Sequence, residues 1–220
     1  MNSIIQFPQA PRSDRNHHPL VDQGFSDVFT TTPQDAAAFG FLLASLPSIH
    51  GPILWVYDRM SAREAGRTYL LRHVLHCMPA NATGVLQAME DGLNSSGPGA
   101  VLGELWGEPR ELSFTATKRL ALRSQARKVP CILIRHNART SISAARNRFR
   151  IGSLPSIANP NDPAAPGDPC WRVELFRSRT RPPGIWMVLH DRAADRLRFS
   201  SLAADGAVGE DRRADELARP

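Results

Sequence analysis

Short apolar runs alternate with amphipathic stretches through much of the chain. Apolar runs bounded by turn residues are typical of buried strands in a parallel sheet, and they occur at 53–58, 100–105 and 129–135. Apolar residues that recur every three or four positions predict helices instead. Such helices are predicted at 32–46, at 112–128 and around Val85, Leu86, Met89 and Leu93. This alternation predicts an α/β domain with a parallel sheet.

Capping signals indicate where two helices begin. Thr32 and Pro33 supply an N-cap and a proline for the first helical position. The stretch SARE at 61–64 matches a capping box, in which the serine and glutamate side chains accept backbone N–H groups. The segment 73–78 fits either an extension of this second helix or a short strand, and we favour the strand, which would end before Pro79.

The C-terminal part of the chain has a different pattern. RFRIGS at 148–153 alternates as a half-buried strand does, whereas 154–169 holds five prolines in sixteen residues and predicts irregular structure. WRVELFRSRTRPPGIWMVLHD at 171–191 predicts two strands around a Pro-Pro-Gly turn, and 196–202 predicts one more short strand. The hairpin would extend the sheet at one edge.

Composition suits a single domain with polyanionic partners. We divide the chain into an irregular segment at 1–24, one α/β domain at 25–202 and a flexible, charged tail at 203–220. With 42% hydrophobic residues in 220, the domain has enough apolar surface for its own core. A charge of +6 and a pI of about 10.0 favour nucleic acid or an acidic protein surface, without choosing between them. Arginine, alanine and proline are all abundant, as in GC-rich genomes, so arginine excess alone is a weak signal.

The motifs of several common enzyme classes are absent. The phosphate loop G-x-x-x-x-G-K-[ST] needs an early lysine to neutralise phosphate oxygens, but the first lysine of this chain is Lys118. G-x-S-x-G and H-E-x-x-H are absent as well. Glu104 ends a predicted strand and could mimic a metal-binding acid, but no phosphate loop accompanies it. We therefore predict a protein that is not an enzyme and that uses no cofactor.

Cysteine and histidine positions do not form a metal site. Cys77, Cys131 and Cys170 are odd in number and widely spaced, which favours free thiols in a reducing compartment. His17 and His18 are adjacent in a polar segment, where a solvated tail is a better interpretation than a metal pair. There is no apolar run of membrane-spanning length and no signal-peptide pattern, which predicts a cytoplasmic protein.

Several blocks of sequence between residues 25 and 191 are informative in combination. They are ILWVYD with AREAGRTY, AMEDGL with GAVLGELWGE, LSFTATKRLALRSQA, VPCILIRH, SAARNRFRIGSLPS and WRVELFRSRTRPPGIW. Taken together, these blocks resemble the ImuA family, whose members are RecA-like accessory proteins of the bacterial DNA-damage-inducible mutagenesis cassette. The resemblance implies a RecA-like core, here without a phosphate loop: a mostly parallel sheet flanked by helices, with an antiparallel C-terminal hairpin edge.

The resemblance also implies a function and partners. Such a protein acts in SOS-induced, error-prone translesion synthesis without catalysing a reaction itself. Its implied partners are the RecA filament, a Y-family-like polymerase subunit and a DnaE-type error-prone polymerase, and DNA is contacted directly or through them. Composition and spacing give none of this.

The C-terminal hairpin carries the sharpest expectation. RecA proteins have Lys-x-Lys-x-x-Pro-Pro in the equivalent hairpin, where the lysines reach the ATP of the neighbouring filament subunit. In this chain Arg177 and Arg179 take the lysine positions, and Arg181 precedes Pro182 and Pro183. Arginine keeps the charge and adds bidentate contact with phosphate. The resemblance thus implies that Arg177, Arg179 and Arg181 face RecA or its bound phosphates.

Four further arginines are candidate contacts to DNA or a partner: Arg146, Arg148, Arg150 and Arg172. They support an alternative function, in which the chain binds single-stranded nucleic acid through these residues and the hairpin. Aromatic residues for base stacking are sparse near them, which weakens that alternative. A third interpretation, an enzyme, is opposed by the missing phosphate-loop lysine.

Overall fold

The computed structural model describes residues 24–46, 50–67, 73–159, 161–162 and 164–202. Four helices lie within these ranges: α1 (Ala37–Ser45), α2 (Arg59–Glu64), α3 (Ala82–Asn94) and α4 (Phe114–Arg127). The strands of the same ranges are β1 (Phe25–Thr30), β2 (Ile53–Tyr57), β3 (Val74–Cys77), β4 (Ala100–Trp106), β5 (Cys131–His136), β6 (Asn147–Leu154), β7 (Cys170–Ser178), β8 (Gly184–Asp191) and β9 (Arg196–Ser201).

All of these strands belong to one sheet, in the order β3-β2-β4-β5-β1-β6-β7-β8-β9. The six strands from β3 to β6 are parallel. The last three are added antiparallel, each to the strand before it. The predicted architecture, a mostly parallel α/β sheet with an antiparallel C-terminal hairpin edge, is therefore confirmed.

The sheet separates two hydrophobic clusters. On one side, here called the α1 face, α1 packs on residues such as Val28, Leu102 and Ile132, all at most 1% exposed. On the other side, the α3–α4 face, the two helices cover residues such as Val101 and Leu133. Alternate residues of β1, β2, β4 and β5 supply the two clusters, as the two-residue period of a strand requires.

Strand β1 is the element that the sequence did not predict. It lies at the centre of the sheet, between β5 and β6, and is almost completely buried. Its sequence FSDVFT places Ser26 and Asp27 among apolar residues, so it forms neither a continuous apolar run nor a regular alternation. The first predicted element was the helix at 32–46 instead.

Two helix starts differ from the predictions. The first helix begins at Ala37, with Ala36 as N-cap, and residues 31–36 form a loop after β1. The second helix is capped by Asp58, whose Oδ1 accepts the N–H of Ser61 at 2.7 Å. The capping box at 61–64 was therefore wrong, because the acid three residues earlier takes the N–H that needs capping.

Other predictions are confirmed with small shifts. The ambiguous segment at 73–78 contains strand β3, and the proline-rich stretch is irregular over its described residues from 155 to 169, since Leu154 still belongs to β6. Arg119 and Arg123 of α4 both bind Glu90 of α3, at 2.7 and 2.6 Å. The second helix ends at Glu64, and residues 68–72 lie outside the described ranges. In the described ranges, none of the helices has the length and apolar character needed to cross a membrane.

Candidate interaction site

The arginine-rich turn lies at the edge of the sheet where the parallel strands begin. Strand β7 pairs with β8 only as far as Leu175 and Gly184, but it continues beside β6 until Ser178 lies opposite Asn147, the first residue of β6. The turn at 179–183 therefore emerges at the amino-terminal edge. Arg177 and Arg179 are exposed there and Arg181 is half-buried.

Backbone contacts hold this turn in place. The Ser178 hydroxyl accepts the N–H groups of Thr180 and Arg181, at 3.1 and 3.2 Å, and it donates to Oδ1 of Asn147 at 2.7 Å. The N–H of Arg179 donates to the carbonyl of Arg146 at 3.1 Å. A serine can organise a turn in this way through its own hydroxyl. The turn thus presents its arginines from a fixed backbone rather than from a free loop.

A β-bulge in β7 gathers more arginines on the α3–α4 face. Arg148 lies opposite Arg177, yet the next residue, Phe149, lies opposite Leu175, so Phe176 is the extra residue. The Phe176 ring has the guanidinium carbons of Arg148 and Arg150 at 5.4 and 5.2 Å from its centroid. Burial lowers the pKa of Arg148, the carboxylate of Asp27 raises it, and the nearby charge of Arg177 lowers it. The pKa of Arg148 is lowered as a result. The bulge brings Phe176 and Arg177 to the same side of the sheet.

Arg148 belongs to a buried ionic network. Its Nε lies 3.4 Å from Oδ2 of Asp27, and both side chains are at most 6% exposed. The guanidinium groups of Arg148 and Arg135 also lie over the Phe29 ring, at 5.3 and 5.6 Å from its centroid. Burial raises the pKa of Asp27, while Ser143, Arg148 and Arg135 act in the opposite direction. Arg148 is therefore a buried partner of Asp27 rather than an exposed contact residue.

Arg150 and Arg172 converge on one carboxylate. Their Nη1 atoms lie 3.1 and 3.0 Å from the same oxygen, Oε2 of Glu174. The two arginine side chains keep 39% and 35% of their surface exposed, so N–H groups remain available for a second anion. This pair is both accessible and fixed by Glu174. Arg146 is half-buried and lies just before β6.

The opposite edge of the sheet holds a polar cleft of about 460 Å³, at the carboxyl ends of β1, β4 and β5, lined by Thr30, Thr31, Pro33, Glu108, Asn137, Ala138 and Arg139. Beside it, the carboxylate of Asp35 accepts the N–H of Ala37 at the start of α1, at 2.8 Å. It also accepts the N–H and hydroxyl of Ser153, at 2.8 and 2.6 Å. An acid thus occupies the helix N-terminus beside the cleft.

The structure brings together arginines that were only separate candidates in the sequence. Arg148, Arg150, Arg172 and Arg177 share one face of β6 and β7, and Arg179 reaches their edge. The aromatic and acidic residues among them, Phe29, Phe176, Asp27 and Glu174, were not predicted. The alternation of RFRIGS could have placed Arg148 and Arg150 on one face, but no local signal marks their pairing with Asp27 or Phe176.

The chain matches no protein-family model and no curated protein.

Proposed function

We propose that this protein is a non-catalytic, RecA-like accessory protein of DNA-damage-induced, error-prone translesion synthesis. It binds the RecA filament and the partner polymerases, a Y-family-like subunit and a DnaE-type enzyme. The proposal begins from the resemblance to the ImuA family. It is supported by the mostly parallel sheet with helices on both faces and an antiparallel hairpin at its C-terminal edge.

The observation that carries the proposal is the preorganised arginine turn. Arg177 and Arg179 stand where the resemblance implies phosphate-facing residues, and both are exposed at the amino-terminal edge. Ser178, Asn147 and Arg146 fix the backbone beneath them. A fixed backbone lowers the ordering cost on binding, and a guanidinium group contacts phosphate bidentately. The turn is therefore suited to docking on a nucleotide held by another subunit.

The opposite edge is unsuited to holding a nucleotide of its own. In a phosphate-loop protein, the segment between the first strand and its helix presents backbone N–H groups to phosphate. Here that segment presents the Asp35 carboxylate to the start of α1, and a phosphate would be repelled. A subunit that docks through one edge and cannot hold a nucleotide at the other acts as a cap. We propose that it binds one end of a RecA–ATP filament and stops or stabilises that end.

The test compares filament binding by two double variants. Arg177→Ala/Arg179→Ala should weaken docking tens-fold or more, because hydrogen bonds to charged groups contribute about 1.5–3 kcal/mol each. The control is Arg192→Ala/Arg196→Ala at the β8–β9 turn, where both side chains are exposed in surface ion pairs. Binding is measured on RecA filaments with an ATP analogue and with ADP, and end location is read by electron microscopy. Equal binding by both variants, or binding all along the filament, contradicts the proposal.

Direct binding of single-stranded nucleic acid is the second candidate function, and the accessible arginines that share one face, Arg150, Arg172 and Arg177, are the observation that favours it. The aromatic rings in this face are covered by guanidinium groups, and Phe29 is only 2% exposed. Base stacking, which supplies much of the affinity in single-strand binders, has no open ring here. Binding would depend on phosphate contacts alone and would fall steeply as salt is raised.

A further inference from the structure

The part of the α3–α4 face formed by β6, β7 and β8 lacks a helical cover within the described part of the chain. The buried strand residues beneath α3 and α4 come from β1, β2, β4 and β5. Strands β6, β7 and β8 continue the same sheet beyond them, but they contribute no residue to that cluster. A sheet face is normally buried against another layer. The surface of β6–β8 on this side is here called the open face.

Two stripes run side by side on the open face. Arg150 and Arg172 form a cationic stripe with Glu174 between them. On the next strand, Ile185 lies opposite Glu174 and Met187 lies opposite Arg172. These two apolar side chains are half-buried and belong to neither hydrophobic cluster. An apolar stripe therefore adjoins a cationic stripe at the distance between neighbouring strands, about 4.8 Å.

The charge and apolar character of the two stripes indicate which kind of partner would bind them. Arg150 and Arg172 already meet on one carboxylate oxygen, which shows that their spacing suits a carboxylate, and the apolar stripe adds a preference for aliphatic side chains. Nucleic acid would use neither the apolar stripe nor the covered aromatic rings. We propose that the open face binds an acidic amphipathic helix of a partner protein. Its apolar side packs on Ile185 and Met187, and its flanking carboxylates bind Arg150 and Arg172.

Such a helix would extend the layer formed by α3 and α4 across the rest of the sheet. Amphipathic helices commonly bind in this way, with apolar anchors in a groove and charges at its rim. The inference rests on the proposed function, since it gives the chemistry of one of its protein partners. It uses different residues from the hairpin turn, so the two can fail separately.

The test uses the full chain and a designed, fluorescein-labelled peptide of about five helical turns, with leucine on one side and glutamate on the flanks. A matched peptide carries glutamine for every glutamate. Binding is followed by fluorescence anisotropy. Arg150→Gln/Arg172→Gln and, separately, Met187→Gln should each weaken binding of the acidic peptide about tenfold or more. The control, Arg59→Gln/Arg63→Gln, makes the same charge change on exposed positions of α2 and should bind as the unmodified protein does.

Three results would overturn the inference. One is absence of binding by the acidic peptide, which is expected if a segment of this same chain covers the open face. Another is equal binding of the glutamate and glutamine peptides. The third is displacement of the peptide by a single-stranded oligonucleotide whose own binding needs Arg150 and Arg172. Arg177→Ala/Arg179→Ala should keep peptide binding. If this variant loses filament docking but still binds the peptide, the loss is due to the hairpin alone.

Discussion

The contribution of Arg148 to the free energy of unfolding can be measured through its buried ion pair with Asp27. Two unit charges 3.4 Å apart attract by about 5 kcal/mol at an effective dielectric constant of about 20, and the cost of burying both offsets much of this gain. Arg148→Met removes the partner of a carboxylate that is 0% exposed. Removing one partner of a buried pair costs about 3–5 kcal/mol. We expect about 3 kcal/mol, because Arg135 still lies close enough to act on Asp27.

A double-mutant cycle measures how far the contributions of Asp27 and Arg148 to stability depend on each other. Asp27→Val/Arg148→Met replaces both charges by apolar side chains, so it should recover most of the stability lost by Arg148→Met alone, with a coupling energy of about 3 kcal/mol or more. The control, Arg150→Met, removes an arginine that is 39% exposed and should cost less than about 1 kcal/mol.

The assay is urea unfolding at neutral pH, with circular dichroism and tryptophan fluorescence compared as two probes. A loss of about 3 kcal/mol shifts the midpoint by about 1.5 M if the urea dependence is near 2 kcal/mol/M. A fully additive cycle, in which the double variant loses the sum of the single losses, would refute the reasoning. It would mean that Arg148 and Asp27 do not depend on each other in the folded state.

Two further predictions concern the opposite edge of the sheet. Burial raises the pKa of Asp35, but hydrogen bonds from Ser153 and Ala37 outweigh this and lower it below its ordinary value of 3.8. The ionised form of Asp35 therefore stabilises the fold above about pH 3.8, and this contribution is lost as pH falls through the lowered pKa. The thermal unfolding temperature of Asp35→Asn should differ from that of the unmodified protein near neutral pH and converge with it in acid. A constant difference at every pH would contradict this. We also expect no micromolar binding of ATP with magnesium by the isolated chain, measured by calorimetry, because the segment before α1 presents Asp35 rather than a phosphate loop.

Much of the sheet was predictable because its strands carry local signals. The runs at 53–58, 100–105 and 129–135 are buried on both sides, so they are mostly apolar, and each corresponds to a strand of the structure. The hairpin at 171–191 was marked by its Pro-Pro-Gly turn. β1 was missed because Asp27 interrupts the apolar pattern of a short strand. That interruption reflects a pairing with Arg148, which is distant in sequence, and no window of local residues reveals it.

The candidate site was predictable only in its parts. A period-two pattern places Arg148 and Arg150 on the same side of a strand, but it does not distinguish the buried residue from the accessible one. That difference comes from the neighbouring strand. Both arginines lie between β1 and β7, but Arg148 lies opposite the buried Asp27 of β1, whereas Arg150 lies opposite Glu174 of β7. The partners of each arginine are thus set by strand pairing and register, which the local sequence does not contain.

The same network connects the buried centre of the sheet with its two accessible surfaces. Arg148 contacts Asp27 on β1 and the Phe176 ring on β7, and it lies opposite Arg177 at the base of the hairpin turn. Because Phe176 is the bulged residue, its packing under Arg148 and Arg150 fixes where β7 leaves β8 and follows β6 alone. Arg148 therefore positions the hairpin turn on one side and Arg150 on the other without being exposed itself. Its replacement should weaken filament docking and peptide binding together, whereas replacement of Arg177 or Arg150 should affect only one of them.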